Sequence, residues 1–210
     1  MLKPGIHNRE AFFKVRLDVE QAVIGAVLIA SMRLEGYPET GYAEVKQVLN
    51  PQNFKVYEYL DHQKVWQALG EMWEQRIPID LITVTHYLHR HGESRALLAH
   101  SLSTLTNRIS SNAHLEYHAF ILLEYDIMEK FCDLLLSIGS RADNAVHKAA
   151  VMDCYENMCT LDFDLFDGLQ TCKEYLTKIE LEELLLQELN EFMSAFEKKV
   201  EFIKDKHLII

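Results

Sequence analysis

The sequence predicts an all-α protein with a compact multi-helix head, then an antiparallel helical hairpin and a C-terminal amphipathic helix. Glycine and proline supply only 8 and 4 of the 210 residues, whereas average usage is about 7% and 5%. Chains so poor in turn-forming residues are rarely many-stranded sandwiches or barrels. Apolar residues also recur at helical spacing through most of the chain. Both observations favour long helices over sheets.

The helical pattern divides into five segments. The first segment is expected to be a flexible basic arm. The segments are an arm (1–17), the head (18–110), the hairpin (111–160), an acidic linker (161–169) and the C-terminal helix (170–210).

The head begins with a helix whose start is predicted at Asp18. Asp18 fits an N-cap, and Gln21 three residues later completes a capping box. The following residues are apolar on nearly every face, so we expect this helix to be central and buried. Gly25 inside the helix costs about 1 kcal/mol against alanine. We therefore expect another helix backbone to cross closely at this glycine.

Three further signals place the other helices of the head. Pro51 favours the start of a new helical segment, and residues 61–75 carry apolar side chains, including Trp66, at helical spacing. Asp80 is predicted to cap the next helix, and Gly92 is predicted to end it. One more short helix completes the head.

The hairpin is predicted from two long helical segments. The first runs to about Ile138, Gly139-Ser140 is expected to form the turn, and the second helix returns from there. The apolar surface of the two helices exceeds what a hairpin alone can bury. We therefore expect self-association through Ile121, Met128 and Leu135.

The C-terminal stretch is predicted to be one amphipathic helix over about 171–206. Its apolar stripe includes Leu189, Phe192 and Phe196, at spacings close to 3.5 residues. Such a stripe needs a partner surface. That surface is either the hairpin of the same chain or a neighbouring subunit, and the sequence leaves both alternatives open.

Several functional classes lack support in the sequence. None of the eight glycines is followed by lysine, so a phosphate-binding P-loop is absent and we expect no ATP-driven motor in this chain and no enzyme activity. His114 and His118 have a metal-ligand spacing but lack a completing motif, so we expect no metal and no cofactor.

The charge and the cysteines indicate where such a protein works. The net charge of −11 does not favour direct phosphate binding, so we expect contact with DNA only through partners. No apolar run approaches the roughly 20 residues of a membrane span. The four cysteines form no CxxC pair, which is typical of reduced thiols in a cytoplasmic protein.

Four segments in order resemble the N-terminal domain of DnaB-type replicative DNA helicases. The resemblance covers about residues 18–160. No single motif is specific to the family, but the four segments in this order are. The segments are Asp18–Leu28 (DVEQAVIGAVL), Leu49–Phe54 (LNPQNF) with Trp66, Ile77–Asp80 (IPID) with Thr83-Val84, and Ser110–Asn112 with Tyr117–Ala119.

The resemblance implies a DNA-replication protein that interacts with other proteins. In that family a helical head and hairpin dimerise, and such pairs build the collar of the helicase ring, which receives primase and is contacted by helicase loaders. The resemblance therefore implies a homodimer or higher homo-oligomer that binds a helicase motor, a primase or a loader. The alternative is a regulator that mimics the collar and inhibits or tethers a resident helicase or primase.

Overall fold

In the residues that it describes, the computed structural model of the chain has only helices as regular secondary structure, which confirms the all-α expectation. The residues it describes are 6–32, 41–57, 60–109, 113–158, 165–179, 181 and 183–207. The α-helices of this part of the chain are α1 (Ile6–Met32), α2 (Tyr42–Val45), α3 (His62–Glu74), α4 (Leu81–Arg90), α5 (Arg95–Asn107), α6 (Leu115–Arg141), α7 (Ala145–Met158), α8 (Leu165–Lys178) and α9 (Glu183–His207). A short 3-10 helix, Pro51–Asn53, lies between α2 and α3.

The chain divides into two compact units. The head unit comprises Lys14–Leu123, and the hairpin unit comprises Met1–Phe13 together with Glu124–Ile210. Both divisions fall inside a helix, one in α1 and the other in α6. The sequence instead suggested divisions near 18 and 110, where helix-start residues stand.

Helix α1 carries the centre of the head unit's core. The side chains of Val23, Ile24, Val27 and Leu28 are completely buried, as expected for a helix that is apolar on nearly every face. A Cβ placed on Gly25 would lie 2.6 Å from the carbonyl oxygen of Leu105. The backbone of α5 therefore crosses α1 at this glycine, and the expected close crossing is confirmed.

The predicted start of α1 is wrong. The helix begins at Ile6, so Asp18 lies in its interior and cannot act as an N-cap. Residues 6–17 are helical rather than a free arm, while residues 1–5 lie outside the described part. No glycine or proline interrupts residues 6–17, and Arg16 pairs with Glu20 one turn later, at 3.0 Å. An i,i+4 ion pair of this kind supports helix across the presumed boundary.

Side-chain caps fix the starts of α3 and α4. Asp61 accepts a hydrogen bond from the Lys64 N–H at 3.1 Å. Asp80 accepts bonds from the Ile82 and Thr83 N–H groups at 2.8 and 2.9 Å. The cap predicted at Asp80 is confirmed, and α4 ends just before Gly92, whose φ of 101° favours glycine.

Trp66 on α3 lies at the centre of an aromatic cluster. It is completely buried, with its ring stacked on Phe54 at a centroid distance of 4.5 Å. The ring of Tyr42 is tilted against it at a centroid distance of 5.1 Å. This contact holds α2, α3 and the segment after the 3-10 helix in one core.

The hairpin unit contains α7, α8, α9 and most of α6. The turn predicted at Gly139-Ser140 is wrong, because both residues are still helical and α6 ends at Arg141. The Asn144 side chain accepts a hydrogen bond from the Val146 N–H at 2.8 Å. Asn144 therefore caps α7, and it is this asparagine rather than the glycine that marks the turn.

The single C-terminal helix predicted over 171–206 is two helices. Helix α8 ends at Lys178 and α9 begins at Glu183. The Leu181 N–H bonds back five residues to the Leu176 carbonyl at 3.4 Å, which is typical of a helix end. Leu176 and Leu181 are both buried. In one continuous helix, residues five apart would point in different directions. The break therefore allows Leu176 and Leu181 both to be buried in the core.

Candidate protein-interaction surfaces

A buried ionic cluster organises one side of the head unit. The Glu20 carboxylate accepts hydrogen bonds from the Arg16 Nε at 3.0 Å and from the backbone N–H groups of Lys55 and Val56 at 2.9 and 3.1 Å. The Nδ1 atom of His62 lies 2.9 Å from the same carboxylate. All three charged or titratable side chains are at most 3% exposed, so the cluster is a structural anchor rather than a surface site.

The cluster fixes the segment that leads into α3. The Arg16 guanidinium donates to the Asn53 carbonyl at 2.5 Å, so α1 holds both the 3-10 helix and the residues after it. Sequence reasoning missed this anchor because it placed Arg16 in a solvated arm. The four-residue spacing between Arg16 and Glu20 is the signal that could have found it.

Tyr57 is a candidate contact residue at the edge of this anchored segment. It is 72% exposed, and its neighbour Val56 is bound to Glu20 through the backbone. An exposed tyrosine on a fixed backbone resembles the aromatic anchors of protein interfaces. Within the described part of the head unit, the other exposed large apolar side chains are Val15, Ile82, Leu97 and Tyr117.

The residues predicted for self-association differ in accessibility. In the head unit Ile121 is half-buried, and in the hairpin unit Met128 is half-buried. Leu135 is completely buried within the hairpin unit, so the expectation that it is a free contact residue is corrected. The reason is that the apolar stripe of α6 is already covered by helices of the same unit.

The stripe of α9 is also covered in part by its own unit. Leu189 is completely buried, and the half-buried Phe192 has its ring 5.5 Å from that of Phe131 on α6. Leu189 is therefore a core residue rather than a free contact residue. Phe196 lies in α9, but its side chain is outside the described part of the chain.

An ion pair also attaches α9 to α6. The Arg141 guanidinium donates two hydrogen bonds to the Glu188 carboxylate, at 2.6 and 2.5 Å. This bidentate bonding raises the pKa of Arg141 and lowers the pKa of Glu188. Of the two alternatives that the sequence left open, the structure shows the first half of α9 packed on the hairpin of its own chain.

The hairpin unit still exposes apolar side chains that could contact a partner. Val146 on α7 is 64% exposed and Leu184 on α9 is 76% exposed. Tyr175 on α8 is also exposed, and Phe13 belongs to the same unit. Single exposed apolar residues are common on protein surfaces, so these are candidates rather than an assigned site.

His114 and His118 lie near the start of α6. The rings of His114 and His118 are 6.4 Å apart, centroid to centroid. Burial, and then the nearby His114, lower the pKa of His118. Among the residues that the structure describes, no three His, Cys, Asp or Glu side chains come together as a metal site would require. In the same described ranges, no helix is long and apolar enough to cross a bilayer.

Relatives of known function are similar to parts of the chain. A replicative DNA helicase DnaB of Rhodothermus marinus is 34% identical over 138 residues, which cover 65% of this chain and 14% of the relative. The DnaB helicase of Leifsonia xyli subsp. xyli is 27% identical over 176 residues, 82% of this chain and 35% of the relative. The chain thus spans well under half the length of these two relatives.

A solved structure and a family model complete the comparison. The N-terminal domain of the DnaB helicase from Mycobacterium tuberculosis is 23% identical, with a TM-score of 0.47, over 77% of this chain and 96% of that domain. The family model described as the DnaB-like helicase N terminal domain matches residues 14–124, more than half of the chain. That match coincides with the head unit, Lys14–Leu123, to within one residue. The chain belongs to the DnaB-like helicase N-terminal domain family.

Proposed function

We propose that this chain is a protein-interaction module of DNA replication that works like the collar of a replicative helicase. In this proposal the chain self-associates, docks a helicase motor, a primase or a helicase loader, and meets DNA only through those partners in the cytoplasm. The observation that carries it is the family match over residues 14–124. This match covers the whole compact head unit and nothing catalytic.

The exposed apolar side chains of the head unit support a binding role. The completely buried carboxylate of Glu20 is occupied by structural hydrogen bonds. Large apolar side chains such as Tyr57 and Ile82 are more than 70% exposed. Exposed aromatic and aliphatic residues on a rigid helical frame are suited to docking another protein.

Self-association is proposed through the accessible residues of α6. Met128 and Ile121 are each half-buried and thus retain surface for a second copy. Leu135 and Leu189 contribute indirectly, because they hold the helices that present this surface. Phe192 packs on Phe131 but is only half-buried. We therefore propose that it both supports the helices and contacts the second copy.

The first experiment measures mass and partner binding. Light scattering over a concentration series should give a dimer or larger species for the full chain. The Met128→Glu and Ile121→Glu variants should shift the mass toward the monomer. Ser137→Glu is the matched control, because Ser137 is an exposed polar residue on the same helix. A wild type that stays monomeric at high concentration would remove self-association from the proposal.

The second experiment identifies the partner and separates the collar role from the regulator role. Immobilised chain is exposed to purified replicative helicase, primase and loader from the same cell, and binding is measured by interferometry. Unwinding by the helicase is then followed with and without added chain. Binding with unchanged unwinding supports the collar-like role, and binding that inhibits unwinding favours the regulator. Binding to none of the three contradicts the proposed function.

A further inference from the structure

Two cysteines of the hairpin unit face each other across the contact between α7 and α8. Cys154 on α7 is 2% exposed and Cys172 on α8 is 4% exposed. The Cys172 Sγ lies 3.9 Å from the backbone oxygen of Cys154, to which it donates a weak hydrogen bond. Neither cysteine forms a disulfide in the structure.

The pair has a route to solvent. A cleft of about 540 Å³ lies between α7 and α8, and Cys154 and Cys172 line it together with Met158, Gly168 and Tyr175. Reagents of the size of water or hydrogen peroxide fit readily in such a volume. The thiols are thus covered by the helices but adjacent to a space that small molecules can enter.

We propose that Cys154 and Cys172 form a dithiol site that a peroxide-class oxidant converts into a disulfide joining α7 to α8. This site is independent of the proposed replication function. The product would link two helices whose connecting segment is short in sequence, so the closed loop is small.

The electrostatics of the pair give the two sulfurs different roles. Interaction with Cys154 lowers the pKa of Cys172, while the same interaction, and then burial, raise the pKa of Cys154. The thiolate is the reactive form of cysteine. Cys172 is therefore the attacking sulfur, and Cys154 is the resolving one.

The reaction balances in two steps. The Cys172 thiolate attacks one peroxide oxygen, the O–O bond breaks, and a sulfenic acid forms while the released hydroxide takes up a proton to become water. The Cys154 sulfur then attacks the sulfenic sulfur. The S–S bond forms, the S–O bond breaks, and the departing hydroxide accepts the Cys154 proton. Two thiols are oxidised, and one hydrogen peroxide is reduced to two waters.

The experiment treats the reduced full chain with hydrogen peroxide, alkylates the remaining thiols and maps them by mass spectrometry. Titratable thiols should fall from four to two, with one peptide pair linked through Cys154 and Cys172. Dithiothreitol should restore all four thiols. The Cys132→Ser/Cys159→Ser double variant keeps only the proposed pair and should still form the link. Cys154→Ser and Cys172→Ser should each abolish it.

Other outcomes would overturn the proposal. A native protein that keeps all four thiols under peroxide, or that links Cys159 instead of Cys154 to Cys172, contradicts the assignment. If the single serine variants fail to fold, the peptide map of the oxidised wild type shows by itself whether Cys154 is linked to Cys172. Oxidation of the urea-unfolded chain provides the control, because mixed linkages are expected there and a single linkage is expected in the native chain.

Discussion

The Nδ1 atom of His62 lies 2.9 Å from the Glu20 carboxylate, across 42 residues of chain, and both side chains are buried. The same carboxylate receives Arg16 and two backbone N–H groups. One side chain of α1 therefore accepts three hydrogen bonds and lies within hydrogen-bond distance of the His62 ring. Leaving such groups unpaired is costly, so the fold of the head unit depends on Glu20.

The first prediction is that Glu20→Ala strongly destabilises the protein. Removing one partner of a buried ion pair costs about 3–5 kcal/mol, because the remaining charge stays buried without compensation. Urea denaturation followed by circular dichroism measures the change. Glu44→Ala is the matched control, since Glu44 is exposed on α2 and should change stability by less than about 0.5 kcal/mol. Equal midpoints for the two variants would contradict the assigned role.

The second prediction concerns two glycines in helix interiors. Gly25→Ala should destabilise by about 1–3 kcal/mol, because its Cβ would meet the Leu105 carbonyl oxygen at 2.6 Å. Gly139→Ala should be neutral or stabilise by up to about 1 kcal/mol, since its Cβ would make an ordinary contact with Val151 at 3.4 Å and alanine favours helix. Thermal unfolding compares them. The same sign of effect at both positions would show that the α1–α5 crossing is misplaced.

The third prediction is that Trp66→Ala costs about 3–5 kcal/mol, the usual range for a fully buried aromatic side chain. The stacked ring of Phe54 and the tilted ring of Tyr42 would both lose their contact with Trp66. Denaturant titration gives the free energy of unfolding. Tyr57→Ala serves as the control, because Tyr57 is 72% exposed and should affect partner binding more than stability.

Local signals in the sequence predicted several helix limits and one helix crossing in the head unit. Asp80 and Gly92 marked the limits of α4, and Gly25 marked the helix crossing, because each of these residues acts on its own neighbourhood. Glu20 could not be recognised in the same way. Its role depends on contacts with residues 55, 56 and 62, which only the tertiary structure brings to it.

The candidate interaction residues show why a binding surface could not be predicted from the sequence. An amphipathic stripe tells which face of a helix avoids water, but it does not identify the surface that covers it. Leu135 and Leu189 belong to such stripes and are completely buried within the hairpin unit. The break between α8 and α9 was missed for a related reason, since no glycine or proline marks it and the burial of Leu181 sets it.

The fourth prediction uses the Arg141–Glu188 pair. Because the guanidinium lowers the pKa of Glu188, Arg141→Gln should raise that pKa toward its ordinary value of 4.5. At a pH above 4.5, the pair contributes fully to the stability of the fold. This contribution is lost as the pH falls through the lowered pKa of Glu188. Carbon-detected NMR titration of the Glu188 carboxyl measures the shift. An unchanged titration in the variant would mean that the pair is not formed in solution.

The last prediction tests whether α9 belongs to the core of its own chain. Leu189 is completely buried and Leu184, five residues earlier on the same helix, is 76% exposed. Leu189→Ala should therefore cost about 2–5 kcal/mol, whereas Leu184→Ala should leave the free energy of unfolding nearly unchanged. Thermal and urea unfolding of both variants provide the comparison, with partner binding measured in parallel. If α9 instead docks on a neighbouring protein, Leu189→Ala would leave the unfolding curve unchanged and abolish partner capture.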